Sequence, residues 1–212
     1  VIGSTGSGKS TLINLIPRYY DVTKGSVKVD GVDVRDMTQK ELRDKLGYVP
    51  QKGVLFSGTI DSNIRYGKPE ITDAQVKEAA EVAQATEFID TKPEKYESPV
   101  SQGGTNVSGG QKQRLSIARA IAKDPEIFIF DDSFSALDFK TDSQLRKALK
   151  EYTKDATTVI VAQRISTILG ADQIIVLDDG HMAGIGTHKE LMANCEVYQQ
   201  IARSQLSEEE LA

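Results

Sequence analysis

The chain has 212 residues, enough for one domain with a substantial core or for a core with a smaller lobe, and too many for a minimal module. Its formal charge is −5 with a pI near 5.2, and Lys and Arg are scattered along it, so the basic footprint of a nucleic-acid binder is missing. A single cysteine, Cys195, excludes an internal disulfide and reads as a half-buried small residue in a reducing compartment, while no apolar run approaches the ~18 residues of a membrane span.

The first stretch, Gly3-Ser4-Thr5-Gly6-Ser7-Gly8-Lys9-Ser10-Thr11, matches the phosphate-binding pattern G-x-x-x-x-G-K-[ST] in full. Gly3, Gly6 and Gly8 let the backbone curl with its N–H groups inward, an anion nest at the head of a helix expected over residues 10–16 and stopped by Pro17. Lys9 supplies a mobile cation for the β- and γ-phosphates of a nucleoside triphosphate, and the Ser10 hydroxyl is the candidate ligand for its Mg²⁺. The loop normally hangs from a completed strand, yet this chain opens at Val1-Ile2, so an N-terminal portion is expected to be cut away.

Residues 26–34 alternate apolar and polar around Asp30-Gly31, a hairpin signal that predicts antiparallel β structure. A short charged helix over 39–46 leads to the strand Gly47-Tyr48-Val49, with Pro50 marking its exit and Gln51 at its end. Thr72-x-x-Gln75 is a capping box for a helix over 72–85, and with Phe88 and Ile89 it predicts a helical lobe. Ser108 is the expected N-cap of a helix over 111–123, after a stretch rich in Ser, Gly and Pro. The apolar run 127–130 reads as a parallel strand buried on both faces that delivers Asp131 and Asp132 at its C-terminal end. A helix over 141–152, a buried strand over 157–162, a short helix, a strand over 173–177 and a final helix from Thr187 complete an α/β alternation, in which ligands bind at the strand C-termini. His181 and His188 read as surface residues, and 207–212 as a frayed acidic tail.

Together, Val107-Ser108-Gly109-Gly110-Gln111, the strand ending in Asp131, Ser135-Ala136-Leu137-Asp138 and Gln51 resemble the ATP-binding cassette (ABC) ATPases over nearly the whole chain. Val54-Leu55-Phe56-Ser57-Gly58-Thr59-Ile60, Asn63-Ile64-Arg65-Tyr66-Gly67 and residues 98–104 resemble the exporter branch. The resemblance implies an α/β fold: a P-loop NTPase core over 1–50 and 120–212 with a mostly parallel sheet flanked by helices, an antiparallel β subdomain lacking its N-terminal part, and a helical subdomain over about 52–118. It implies ATP and Mg²⁺ as ligands, with Ser10, Gln51 and Asp131 on the metal side. It also implies a head-to-tail dimer with a second cassette, in which Ser108, Gly109, Gly110 and Gln111 close over the partner's nucleotide and Asp138 lies at the seam. Transmembrane domains upstream on the same polypeptide would place the cassette at the cytoplasmic face of the cell membrane. A regulatory module without catalytic share and a soluble ABC-type ATPase are the alternatives.

Two positions depart from the family pattern. Asp132 stands where the family usually has a glutamate, and an aspartate, one methylene shorter, is set back from the water that a general base must reach. Gln163 stands where the family usually has a histidine, and an amide donates a hydrogen bond to a γ-phosphate without ever carrying charge there. Both fall on groups that act on the γ-phosphate and water, and the pairing resembles the degenerate half of a heterodimeric multidrug exporter, a slow ATP hydrolase at its own site.

Overall fold

The computed structural model describes residues 1–207; of the acidic tail read from the sequence, 208–212 lie outside them. The backbone divides into two units, residues 1–39 with those from Val159 on, and Lys40–Thr158.

In the first unit the strand Ile2–Gly3 runs parallel to Ile174–Asp178, with Ile2 opposite Val176 and Gly3 opposite Leu177. Ile174–Asp178 also pairs antiparallel with His181–Gly186 across Asp179-Gly180, both of which have positive φ (44° and 77°). That second hairpin carries the same Asp-Gly signal as the first, and the sequence reading passed over it. The Asp30-Gly31 turn joins Lys28–Val29 to Val32–Asp33 with φ of 51° and 79°, the left-handed pair that such a two-residue turn requires. The core gathers Ile2, Ala162, Ile165, Ile168, Val176 and the fully buried Tyr198, closed by the helices His188–Asn194 and Glu196–Gln205. His188 is not a plain surface residue, because its Nδ1 lies 2.8 Å from the Tyr198 hydroxyl. Cys195, at 5% exposure, is buried rather than half-buried. The first helix covers only Lys9–Ile13: the next turn tightens to i→i−3 bonds, Leu15 N to Leu12 O and Ile16 N to Ile13 O, ahead of Pro17.

In the second unit Leu46–Val49 runs parallel to Ile127–Asp131 in the register Leu46 to Ile127 and Val49 to Phe130. Phe128, Ile129, Phe130 and Asp131 are all buried, as a two-sided parallel strand requires. The helix Gly109–Ala122 packs against Ile60–Ile64 and Asp73–Val82. Its inner stripe includes Leu115, Ala118, Ile121 and Ala122, all buried, and Asp73–Val82 starts at the Thr72/Gln75 capping box. Gly58–Thr59 and Pro99–Val100 form a small antiparallel ladder that the Ser/Gly/Pro-rich sequence did not announce. The helix Phe139–Tyr152 begins earlier than expected because Asp138 caps it. Thr157–Val161 crosses from this unit to the first, and it is a partly open strand rather than a buried one: Thr157 and Thr158 are exposed.

Candidate functional site

The phosphate loop is a backbone construction. Gly6 (φ 81°) and Gly8 (φ 95°) take left-handed conformations, and Gly8 opens the helix Lys9–Ile13, which has no side-chain cap. Gly3 is a glycine for a different reason, since a Cβ there would stand 2.2 Å from Leu177 O and 2.6 Å from Ser7 Oγ. Ser7 is buried, with its carbonyl accepting from Gly180 N (3.2 Å), so the hairpin the sequence reading missed supports the loop. Lys9 Nζ donates to Gly3 O (2.9 Å) and Ser4 O (2.7 Å), which folds the ammonium back across the loop. Ser4, Thr5, Gly6, Ser10 and Thr11 are exposed. At the end of Thr157–Val161, Gln163 is exposed, and its turn is clasped by Gln205. The Gln205 amide donates to Gln163 O (2.8 Å) and accepts from Ile165 N (2.8 Å).

In the second unit the carboxylates end a strand, as the sequence predicted. Asp131 and Asp132 are each 7% exposed. The Tyr48 hydroxyl approaches Asp131 Oδ2 at 3.4 Å, and Gln51 Nε2 donates to Asp132 Oδ2 at 2.9 Å. Gln51 and Asp132 therefore meet, although 81 positions separate them in the sequence. Asp132 has φ 47°, a conformation that Asp adopts more readily than most side chains. Ser133 Oγ donates to Val49 O (2.8 Å) and Ser135 Oγ to Asp132 O (3.0 Å), fixing the turn after the strand.

Ser108 caps the helix Gly109–Ala122 by accepting from Gln111 N (3.2 Å), and Gln111 Oε1 accepts in return from Ser108 N (3.1 Å). Neither glycine of the first turn is demanded by the fold. A Cβ on Gly109 would meet nothing within 4 Å, and one on Gly110 would find Ala136 O at an ordinary 3.6 Å. Asp138 caps the next helix through Thr141 N (3.0 Å) and Thr141 Oγ1 (2.7 Å), and the Thr141 backbone N–H leads in holding its carboxyl below the usual range.

The exporter-like stretches are organised by Arg119. Its guanidinium donates to Asn63 O, Asn63 Oδ1 and Val54 O and lies over the stacked rings of Phe56 and Tyr66. Burial lowers its pKa to about 10. Gln113 was also missed from the sequence. It is a polar residue on the buried stripe it shares with Ile117, and its side chain binds the loop that carries Gln51. Among the described residues, no group of three or more His, Cys, Asp or Glu is placed to hold a metal alone, and no helix is long and apolar enough to cross a membrane.

Residues 1–135 match the family model described as ABC transporter. An uncharacterized ABC transporter ATP-binding protein of Mycobacterium bovis is 50% identical over 97% of this chain and 35% of its own length. A Staphylococcus aureus protein that bears the name of a multidrug export ATP-binding/permease protein is 48% identical over 94% of this chain and 35% of its own length. The solved structure of a bacterial Atm1-family ABC exporter with ATP bound superimposes with a TM-score of 0.93 at 40% identity, over 98% of this chain and 36% of the other. The chain thus spans about a third of the length of these relatives. It belongs to the ABC transporter family and corresponds to the ATP-binding domain of its exporter-type members.

Proposed function

We propose that this chain is the ATP-binding domain of a heterodimeric exporter at the cytoplasmic face of a membrane, and that its own site is slow while its Ser108 to Gln111 segment completes the partner's site. The observation that carries the reading is Gly109 and Gly110. Glycine in a helix costs about 1 kcal/mol relative to alanine, yet neither position has a steric or conformational need for it within this chain. Small residues at a capped helix start, with open space beside Gly109 and no forbidding contact at Gly110, serve something outside the fold, and backbone N–H groups at a helix start suit a phosphate.

In this chain's own site, the loop from Gly3 to Thr11 holds the phosphates and Lys9 turns from the Gly3 and Ser4 carbonyls to them. Ser10 in the first unit offers a hydroxyl, and Gln51 and Asp131 in the second an amide and a carboxylate, each a hard oxygen donor of the kind Mg²⁺ takes when most of its other ligands are water and phosphate. The ion would neutralise charge on the phosphates. Asp132 falls short of the attacking water by about one ångström relative to glutamate, a misplacement that can cost about a hundredfold. It is also already engaged by Gln51. Gln163 retains hydrogen bonding without charge.

The test is a ranking. In the full-length protein assembled with its partner, Gly110→Asp is expected to lower steady-state ATPase activity by about a hundredfold, and Asp132→Asn by less than about threefold, because only the former touches the competent site. A Cβ at Gly110 would make only ordinary contacts, so Gly110→Ala, which adds no more than that, serves as the packing control and is expected to leave the parent's stability unchanged. The reverse ranking overturns the asymmetric reading.

A further inference from the structure

Gln113 is 1% exposed, and both ends of its side-chain amide bond to one loop: Oε1 accepts from Gly53 N (2.9 Å) and Nε2 donates to Pro50 O (3.0 Å). Those two backbone groups flank Gln51. A buried amide is costly unless its donor and acceptor are both engaged, and here the backbone of a single loop engages both. A second observation points the same way. A Cβ on Gly53 would lie 2.8 Å from Lys112 O and 2.8 Å from Ser116 Oγ, so the loop rests against the helix Gly109–Ala122 at a separation only glycine allows. At its other end the loop is fixed by the strand pairing of Val49 with Phe130 and by Ser133 Oγ on Val49 O. Gln51 projects from this double anchorage to Asp132.

We propose that Gln113 is a positioning residue for Gln51. It ties the loop to the helix whose first turn is Gly109-Gly110, so that any displacement of that helix is carried to the Gln51–Asp132 contact. Gln113 touches no nucleotide and acts through Gln51. The catalytic half of the proposal rests on the reading above, in which Gln51 serves this chain's ATP and the Ser108 segment serves the partner's.

The experiment uses the full-length protein assembled with its partner in lipid nanodiscs. Gln113→Met removes both hydrogen bonds at similar length, Gln113→Asn keeps the amide one methylene short of bridging both, and Gln113→Glu keeps the acceptor for Gly53 N. Without nucleotide, hydrogen exchange at the Gly53 amide is expected to rise about tenfold or more in the Met and Asn variants and to stay near the parent in Glu, with the helix amides within about twofold throughout. A rise shared equally by the helix, or no rise, overturns the proposal.

With the partner's site inactivated, single-turnover hydrolysis at this chain's site is expected to slow about tenfold in Gln113→Met at unchanged ATP affinity, and by less than about twofold when Gln51→Ala is already present. Multiplicative effects of the two substitutions overturn the coupling. A parent that neither binds nor turns over ATP overturns the function proposed above, while the exchange comparison still decides the positioning. Should the Met variant fail to assemble, the Asn variant carries both measurements.

Discussion

The phosphate loop and the turn that carries Asp131 and Asp132 are built by opposite means. The loop takes its shape from main chain: two left-handed glycines, a helix start without a side-chain cap, and one lysine folded onto two carbonyls. The carboxylate turn takes its shape from side chains that arrive from distant parts of the sequence: Tyr48 and Gln51 from one strand exit, Ser133 reaching back to Val49, and Asp132 held in a left-handed conformation without being glycine. A backbone device tolerates replacement of most of its side chains but not of its glycines or its one cation. A side-chain device fails by degrees, one hydrogen bond at a time, which is how a site can lose speed and keep its ligand.

The largest expected effect follows from the backbone device. Lys9→Ala removes the loop's charged donor, and nucleotide photolabelling of this chain is expected to fall about a hundredfold, in line with the loss of charge-assisted bonds to phosphate. Undiminished labelling would mean that the main chain alone binds.

A smaller effect probes the side-chain device. Asp132→Glu combined with Gln163→His is expected to raise single-turnover hydrolysis at this chain's site by more than the product of the two single changes, with the partner's site inactivated. The structure adds a cost to that repair. Glutamate must adopt the φ of 47° that aspartate tolerates, so Asp132→Glu alone is expected to lose about 1 kcal/mol of stability in denaturant titrations. If the double variant holds ATP as long as the parent does, reach and hydrogen bonding at these two positions do not account for the slow turnover proposed for this site.

The smallest effect tests the carboxylate cap at Asp138. Asp138 has its pKa lowered from an ordinary 3.8, first by the Thr141 backbone N–H. Its folded-state pKa is the depressed one, so the stabilisation is fully present above 3.8 and is lost as pH falls through the folded value. Unfolding midpoints of the parent and Asp138→Asn should therefore differ at neutral pH and converge in acid. A difference that persists in acid would assign the cap to something other than the carboxylate charge.

The same contrast governs what could be read from the sequence. The left-handed glycines of the phosphate loop, the Thr72/Gln75 capping box, the Ser108 N-cap and the strand ending in Asp131 are local patterns, and each stands in the structure where its residues predicted it; the reciprocal bond from Gln111 that turns the Ser108 cap into a capping box was not read. Asp30-Gly31 was read as a turn because alternating residues flank it. Asp179-Gly180 was passed over because His181-Met182-Ala183-Gly184-Ile185-Gly186 has too many small residues to look like a strand, although it pairs along Ile174–Asp178. Gln113 and Gln205 were invisible for a different reason. Each is an unremarkable glutamine on a helix, and what matters is the loop it meets, 60 and 63 positions away for Gln113 and 42 and 40 for Gln205. His188 was misjudged for want of Tyr198, whose hydroxyl it meets from the neighbouring helix.

Gln205 carries a practical consequence for anyone handling this protein. The helix Glu196–Gln205 is far along the chain from every motif, an inviting place to trim or to join a reporter. Its last residue, however, is the clasp on the turn that bears Gln163. A junction made ahead of Gln205 would remove the side chain bonded to Gln163 O and Ile165 N, and hydrolysis rates from such a shortened protein would describe the altered turn as much as the substitution under study.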